Sequence, residues 1–269
     1  MSAKKILFIT QEIFPYLPES TISTNCRYLP QAIQERGQEI RTFMPKFGNI
    51  NERRNQLHEV IRLSGMNLII NDTDHPLIIK VASIQAARMQ VYFIDNEDFF
   101  SRKNTVTDDD GNEYDDNDER SIFYVRGVLE TIKKLRWIPD VIHCHGWMTA
   151  LTPIYIKKAY ADDPCFKNSK IVYSLYHDDF GKPLPKEFPS KMRLAGIKDE
   201  DIADLAGEDI DYVKLTNFAV KYSDSVIQSE KDVNPNVLDY VLQSKKSFLP
   251  YQGTVEESAD AINDFYNQL

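Results

Sequence analysis

The chain has little cysteine, and its few thiols form no recognisable pattern. Only three of its 269 residues are cysteines: Cys26, Cys144 and Cys165. They are widely spaced, and no C-x-x-C pair suggests a zinc site or a redox motif. A small, odd number of thiols also argues against a disulfide-stabilised scaffold. We therefore expect a protein of a reducing compartment, the cytoplasm.

A basic excess and long apolar runs are missing as well. The chain has 32 lysines and arginines against 41 aspartates and glutamates, a formal net charge of −9. Binding to nucleic acid or to an anionic membrane surface needs basic patches, so we expect neither partner. No apolar run is long enough to cross a bilayer. The apolar residues 6–9 after Lys4-Lys5 are too few for a secretory signal.

Glycine is absent where a nucleotide-binding fold most often uses it. The first predicted strand is followed by residues 13–26, which contain no glycine and no lysine. A phosphate-binding turn usually carries glycines, because backbone N–H groups and a helix N-terminus must approach the phosphate. The polar residues of this turn are instead Glu19, Ser20, Thr21 and Ser23. Glu19 would repel a diphosphate. The hydroxyls either make a different ligand contact or, the favoured alternative, belong to a loop that does not bind phosphate.

The chain does contain alternating buried strands and amphipathic helices. Apolar runs predict strands at residues 4–10, 38–44, 89–94, 141–144, 170–175 and 225–228, and a hairpin within 57–84. Helical spacing predicts helices at residues 24–36, 122–137, 148–160, 209–222 and 254–269, with two short helices in 186–207. A strand–helix–strand order favours parallel strands with right-handed crossovers. The expected fold class is therefore α/β: a single Rossmann-like domain with a doubly wound parallel sheet and a β-hairpin insertion.

The most informative segment is residues 139–147, which read P-D-V-I-H-C-H-G-W. Its predicted strand ends in polar side chains, at the edge where open α/β sheets bind ligands. His143 and His145 share one face of the strand, because they are two residues apart. A metal would need a third ligand, and none is apparent. The acidic run at 108–119 does not match a calcium-binding loop either. We expect no metal; the histidines are structural or, less favoured, contact a ligand.

Several segments, in this order, resemble glycogen and starch synthases. They are E-I-F-P-Y at residues 12–16, V-Y-F-I-D-N-E-D-F-F-S-R at 91–102, Y-D-D-N with the following Arg and Phe at 114–123, and P-D-V-I-H-C-H-G-W at 139–147. Their order and spacing make the resemblance specific, since each segment alone would be a weak match. The likeness runs through most of the chain and ends near Gln228. It implies the N-terminal half of a GT-B glycosyltransferase that acts in glycogen or starch metabolism.

Within this resemblance the chain departs from the family at positions that carry catalysis. The family's Lys-x-Gly-Gly-Leu motif, which holds the sugar-nucleotide, is absent from the first β-α turn. The family's Asp is replaced by Gly146, and its active-site His by Met148. His177 matches a family His near the donor sugar, although the Asn that follows it is Asp178 here. No catalytic residue is assigned with confidence. The candidate sugar contacts are His143, His145, Trp147, His177 and Asp178. For Trp147, core packing is favoured over stacking on a glucose ring.

The resemblance also implies how the domain is completed. A GT-B enzyme has a second Rossmann-like domain, which binds most of the nucleotide and places cationic groups on the leaving diphosphate. We expect this chain to lack that domain and to consist of a catalytic-domain-like part, residues 1–253, and a C-terminal helix, residues 254–269. The helix is expected to pack back onto the same domain.

Two functional hypotheses remain open. The first is an acceptor-side binding or regulatory module, degenerate in its catalytic motifs, that binds either an α-glucan, for example a maltooligosaccharide, or a partner transferase. The second is an active α-1,4-glucan glucosyltransferase with ADP-glucose or UDP-glucose as donor, once a partner glycosyltransferase chain supplies the donor half. Neither requires a cofactor. A weaker third alternative, an unrelated nucleotide-binding Rossmann protein, is disfavoured by the missing glycine-rich turn.

Overall fold

The computed structural model describes residues 3–269, which form a large mixed β-sheet covered by helices on both faces. The strands are Lys5–Thr10 (β1), Glu39–Pro45 (β2), His58–Glu59 (β3), Met66–Ile70 (β4), Thr73–Ile84 (β5), Met89–Asp95 (β6), Val141–His145 (β7), Lys170–Leu175 (β8), Ser225–Gln228 (β9) and Ser247–Leu249 (β10). Their order across the sheet is β10-β9-β8-β7-β1-β2-β6-β5-β3, and β4 pairs with β5 off this path.

The helices differ greatly in length. They are Thr21–Glu35 (α1), Glu97–Phe100 (α2), Asn117–Leu135 (α3), Thr152–Ile154 (α4), Phe188–Lys191 (α5), Tyr212–Tyr222 (α6), Pro235–Ser244 (α7) and Val255–Gln268 (α8). Side-chain caps fix several starts: Asp211 accepts a hydrogen bond from the Lys214 N–H at the N-terminus of α6. In residues 3–269 no helix is long and apolar enough to span a membrane.

The sheet is doubly wound, as the sequence predicts. Seven strands, from β10 across to β6, are parallel to their neighbours, and β5 and β3 continue the sheet antiparallel. The strands β2 to β6 lie on one side of β1 in the sheet or pair with strands on that side. The chain then returns past β1, and β7 to β10 lie on its other side. The order therefore reverses between β1 and β7. Such a switch point opens a crevice at the carboxyl ends of the strands.

The two faces of the sheet bury separate hydrophobic clusters. On β1, Ile6 and Phe8 point to one face, where they pack in a cluster with residues of α1 and α8. Leu7 and Ile9 point to the other face and join the main core, which includes the apolar stripe of α3. This division follows from the alternation of side chains along a strand. All four residues have no exposed surface.

The C-terminal helix packs back onto the sheet, as the sequence predicts. On α8, Ile262 and Tyr266 are buried in the same cluster as Phe8 of β1. Arg36, just after α1, forms an ion pair with Asp260 at 2.6 Å. The Lys4 ammonium donates a hydrogen bond to the Tyr266 carbonyl at 2.7 Å. The division into residues 1–253 and 254–269 remains a prediction, but α8 shares its core with the first strand.

Several predicted elements differ from the structure. The helix expected at residues 148–160 is a series of short turns: a 3-10 turn at Trp147–Thr149, α4, and a π turn at Tyr155–Ala159. Pro153 lies in the first turn of α4, where a missing N–H is tolerated. Helix α2 lies where no helix was predicted, and α7 and β10 follow the strand that was predicted to be the last. The hairpin β4–β5 turns at Asn71 and Asp72, both with positive φ, within its predicted range.

Candidate functional site

A cleft of about 330 Å³ lies at the carboxyl edge of the sheet, beside the switch point between β1 and β7. We call it the carboxyl-edge cleft. Residues that follow β1, β7, β8 and β9 contribute side chains, as does the N-terminus of α1. Its lining residues are Gln11, Glu12, Ser20, Thr21, Ile22, Val106, Glu113, Trp147, His177, Asp178, Asp179, Phe180 and Glu230. The lining thus brings together three candidate sugar contacts and the hydroxyls of Ser20 and Thr21. These hydroxyls belong to the turn after the first strand, residues 19–23, which we call the donor loop.

His177 and Asp178 follow β8 and lie at the cleft in different environments. The His177 ring is exposed, and the backbone N–H of this residue donates to Glu230 Oε2 at 2.8 Å. Asp178 accepts the Tyr212 hydroxyl at 2.5 Å and the Trp147 N–H at 2.8 Å. Burial raises the pKa of the Asp178 carboxyl to about 7, although both donors oppose that rise. Asp178 therefore anchors the cleft floor, while His177 remains free to meet a ligand.

Trp147 is mostly buried, which agrees with the favoured core-packing interpretation. Its side chain is 4% exposed, and its ring centroid lies 5.1 Å from that of Phe180. Phe180 in turn packs edge-on against Tyr212, with centroids 5.9 Å apart. Phe180 is partly exposed and lines the same cleft. The aromatic surface offered to a ligand is therefore a Trp147 edge and part of Phe180.

His143 and His145 do not reach the cleft, so the structure corrects their candidacy as sugar contacts. Both have no exposed surface. His143 Nδ1 hydrogen-bonds with the Tyr266 hydroxyl and Nε2 with the Ser174 hydroxyl, each at 2.6 Å. His145 Nδ1 hydrogen-bonds with the Tyr176 hydroxyl at 2.8 Å. Side chains at this point of a central parallel strand face the packed layers, and these two rings cross-link strands and α8 as structural histidines.

Burial also keeps both imidazoles neutral. It lowers the pKa of His145 to about 3 and lowers that of His143 well below its usual value. A histidine pair could suggest a metal, and the two ring centroids are 3.9 Å apart. Within residues 3–269, however, no group of three or more His, Cys, Asp or Glu side chains is arranged to hold an ion. Neutral rings that already have hydroxyl partners fit a hydrogen-bonding role.

The donor-loop hydroxyls are occupied by the protein itself. Ser20 caps α1: its Oγ accepts the Ser23 N–H at 3.0 Å, and Ser23 Oγ accepts the Ser20 N–H at 2.8 Å. Ser20 Oγ also donates to Glu12 Oε2 at 2.7 Å. Thr21 Oγ1 donates to Glu230 Oε1 at 3.0 Å. The N-terminus of α1, where a phosphate would be expected, is therefore flanked by carboxylates.

The carboxyl-edge cleft is strongly acidic. Five acidic side chains line it, those of Glu12, Glu113, Asp178, Asp179 and Glu230, although burial raises the pKa of Asp178 to about 7. Among its lining residues, which all fall in the described range 3–269, there is no lysine and no arginine. The Glu113 carboxylate accepts the Gly181 N–H at 2.7 Å and the Lys182 N–H at 3.0 Å, which ties two loops together. A site of this charge disfavours anionic ligands.

Sequence reasoning missed Glu113, Asp179 and Glu230 as lining residues. Glu230 comes two residues after β9, at the same sheet edge as the polar residues after β7 and β8. The rule used for those two strands would have selected it. Glu113 carried no comparable signal, because it reaches the site from a loop between α2 and α3.

Gly146 adopts a backbone conformation that other residues rarely take. Its φ is +89°, and a Cβ at this position would lie 2.6 Å from the Gln11 Cβ. Gln11 Oε1 accepts the Met148 N–H at 3.1 Å, so Gln11 fills the space beside the turn. Met148 is fully buried. Neither position offers a polar side chain to the cleft.

The sequence matches the model of a known family over most of its length. That model is described as the starch synthase catalytic domain, and the match covers residues 5–242. The chain belongs to this family. It is a glycogen/starch synthase-like glycosyltransferase domain, as the motifs indicated.

Curated relatives agree with this assignment. The chain is 33% identical over 253 residues to a glycogen synthase of Chlorobium limicola, covering 90% of this chain and 51% of the relative. It is 34% identical over 238 residues to a glycogen synthase of Chlorobaculum tepidum, covering 87% of this chain and 47% of the relative. The chain thus spans about half the length of the curated relatives it matches.

A solved structure shows the same fold. It is the catalytic domain of starch synthase IV from Arabidopsis thaliana bound to ADP and acarbose. The TM-score is 0.74 at 17% sequence identity, and the alignment covers 96% of this chain and 53% of that one. At this low identity the likeness concerns the fold.

Proposed function

We propose that this domain of the starch synthase family binds an α-glucan at the carboxyl-edge cleft as an acceptor-side module, with degenerate catalytic motifs. The observation that carries the proposal is the charge of the cleft: four carboxylates besides the buried Asp178 and, among the lining residues described, no lysine or arginine. This charge suits a neutral ligand and opposes a nucleotide diphosphate.

The donor argument is electrostatic. Glucosyl transfer from a nucleotide-sugar develops negative charge on the leaving diphosphate, so preorganised cations or N–H donors are needed there. Here Glu12 and Glu230 flank the N-terminus of α1 and accept hydrogen bonds from its hydroxyls. A diphosphate placed beside them would meet like charges at close range.

The acceptor argument rests on complementary groups. A glucan presents many hydroxyl donors, and carboxylates only accept. Glu12, Asp179 and Glu230 can take such donors, and the exposed His177 ring can act as either partner. Phe180 with the edge of Trp147 provides an apolar surface for the C–H face of a sugar ring.

Calorimetric titration tests the proposal. The purified chain should bind maltooligosaccharides, and ADP-glucose should give no measurable heat of binding. His177→Ala should weaken oligosaccharide binding by about tenfold, or about 1.4 kcal/mol. His58→Ala is the matched control, because His58 is exposed on β3 away from the cleft. Tight binding of ADP-glucose with no binding of oligosaccharide would refute the proposal.

A second candidate function is glucosyl transfer completed by a partner chain. One observation favours it: the matched relatives are glycogen synthases. A partner glycosyltransferase would then supply the cationic groups that the cleft lacks. The test is glucose incorporation into glycogen from ADP-glucose or UDP-glucose, for the chain alone and mixed with candidate partners. Activity only in a mixture would support this alternative, and activity of the chain alone would contradict both the module and the partner hypothesis.

A further inference from the structure

A second cleft, of about 790 Å³, lies between α1 and the turn that leads into α8. We call it the α1–α8 cleft. One wall carries Tyr28, Gln31 and Glu35 of α1, and the other carries Tyr251, Thr254 and Glu256. Its volume falls in the range of about 300–1,000 Å³ that is usual for small-molecule sites. The wall residues are distant from His177 in the sequence, and they belong to none of the segments that carry the family resemblance.

Two tyrosines give this cleft exposed aromatic surface on opposite walls. Tyr28 is 45% exposed and Tyr251 is 37% exposed, although large aromatic side chains elsewhere are mostly buried. The Arg27 guanidinium lies 4.8 Å from the Tyr28 ring centroid, which holds the ring from one side. Arg27 donates to Gln31 Oε1 at 2.8 Å, and Gln31 donates to Glu35 Oε1 at 2.8 Å. The α1 wall is thus preorganised by a ladder of side chains one turn apart.

The opposite wall is fixed by the start of α8. Thr254 and Glu257 form a capping box, in which the Thr254 N–H donates to Glu257 Oε2 at 2.7 Å. Gly253 makes the preceding turn with φ +97°, and a Cβ there would lie 2.3 Å from the same carboxylate oxygen. The backbone that presents Tyr251 is therefore set by a turn that requires glycine.

The lining chemistry selects a neutral, hydroxyl-rich ligand. Its charged members are the carboxylates of Glu19, Glu35 and Glu256, and no lysine or arginine occurs among the lining residues, all of which are described. Anions are disfavoured by this charge. The remaining polar groups, such as the Thr24 hydroxyl and the Asn25 amide, can form hydrogen bonds with the hydroxyls of a ligand. Tyrosine rings add large apolar area with a polar tip, which matches the two-sided character of a sugar ring.

The two clefts lie next to each other. Ser20 and Thr21, at the N-terminus of α1, line both of them. A linear ligand that is long enough to pass over Ser20 and Thr21 would contact both clefts.

We propose that the α1–α8 cleft is a second saccharide subsite, which holds the distal units of a long neutral α-glucan whose other end lies in the carboxyl-edge cleft. This inference rests on the proposed function and adds a chain-length preference to it. A short ligand fills only one cleft, whereas a long one gains contacts in both, as linked binding modules do.

Calorimetric titration with maltose and maltoheptaose tests the inference. The wild-type chain should bind maltoheptaose at least about tenfold more tightly than maltose. Tyr28→Ala and Tyr251→Ala should remove most of this difference and leave maltose binding unchanged. Tyr28→Phe should retain it, because the ring face remains. Ile61→Ala is the control, since Ile61 is 76% exposed and lies outside both clefts. Thermal denaturation of each variant verifies that it is folded.

The outcomes separate the two proposals. If both tyrosine variants bind maltoheptaose as the wild type does while His177→Ala weakens both sugars, the second subsite is refuted and the proposed function stands. If the tyrosine variants lose maltoheptaose binding but His177→Ala does not, glucan binds in the α1–α8 cleft alone, and both the carboxyl-edge cleft and the bridging of the two clefts are refuted. If the wild type binds neither sugar, both proposals fail.

Discussion

At the residue scale, the polar side chains near the carboxyl ends of the strands have two different roles. Those beyond the last hydrogen-bonded residue of a strand, such as His177, are exposed and available to a ligand. Those within the last three residues of a strand, such as His143 and His145 of β7, point into the packed layers and stabilise the fold. The sequence predicts that polar groups collect at this edge. It does not distinguish the two classes, because the partners of the buried histidines, Tyr176 and Tyr266, lie far along the chain.

The buried His145 should make stability depend on pH. Its folded-state pKa is lowered to about 3 by burial, so below pH 6.5 the unfolded chain binds a proton that the folded chain does not. Stability is therefore lost as the pH falls from 6.5 toward 3. Relative to His145→Gln, the wild type should lose about 2 kcal/mol more between pH 7 and pH 5. Urea unfolding at both pH values measures this difference.

The control for this prediction is His58→Gln, which removes an exposed imidazole. It should leave the pH dependence of the wild type unchanged. If His145→Gln shows the same loss of stability as the wild type, then His145 is not held neutral in the folded protein.

At the scale of elements, the sequence predicts best where an apolar run has clear ends. Strands β8 and β9 have their predicted boundaries, and both are buried runs in the centre of the sheet. The short β10 was missed, because its three residues are only partly buried and their pattern is not periodic. The segment after β7 was predicted as one helix. Its apolar composition is that of a buried helix, but the chain folds into 3-10, α and π turns that fit the space around it.

A buried hydroxyl should contribute to the packing of helix α8. Tyr266 has no exposed surface, and its hydroxyl hydrogen-bonds with His143. Tyr266→Phe keeps the ring but leaves His143 Nδ1 without its partner, which should cost about 1–3 kcal/mol of unfolding free energy. Hydrogen exchange should show faster exchange of the α8 amides than in the wild type.

Asp264→Ala provides the comparison on the same helix, because Asp264 is exposed. Its unfolding free energy should lie within about 0.5 kcal/mol of the wild type. Equal stability of Tyr266→Phe and the wild type would show that the hydroxyl contact does not hold the helix.

At the scale of the whole molecule, both core clusters are attached to the same first strand, which predicts a single cooperative unit. Cys26 on α1 and Cys144 on β7 belong to the main cluster and have no exposed surface. Burial raises the pKa of the Cys144 thiol to about 12 and that of Cys26 well above its usual value. Neither forms a reactive thiolate while the fold is intact.

A thiol reagent should therefore label Cys26 and Cys144 together. In increasing urea, peptide mapping by mass spectrometry should show both residues labelled in parallel with the global unfolding transition. The third thiol, Cys165, is replaced by serine in the variant used, so that the reagent can label only Cys26 and Cys144. Labelling of Cys26 before Cys144 would mean that α1 opens separately from the sheet.

The contact between Gly146 and Gln11 limits which residues the domain can accept at position 146. The family resemblance places an aspartate where this chain has Gly146. The positive φ of residue 146 is a conformation that an aspartate rarely adopts. The Gln11 side chain fills the space that the aspartate Cβ would need. The single substitution Gly146→Asp would meet both obstacles at once. An aspartate at position 146 is therefore compatible with this fold only together with a change of the Gln11 side chain.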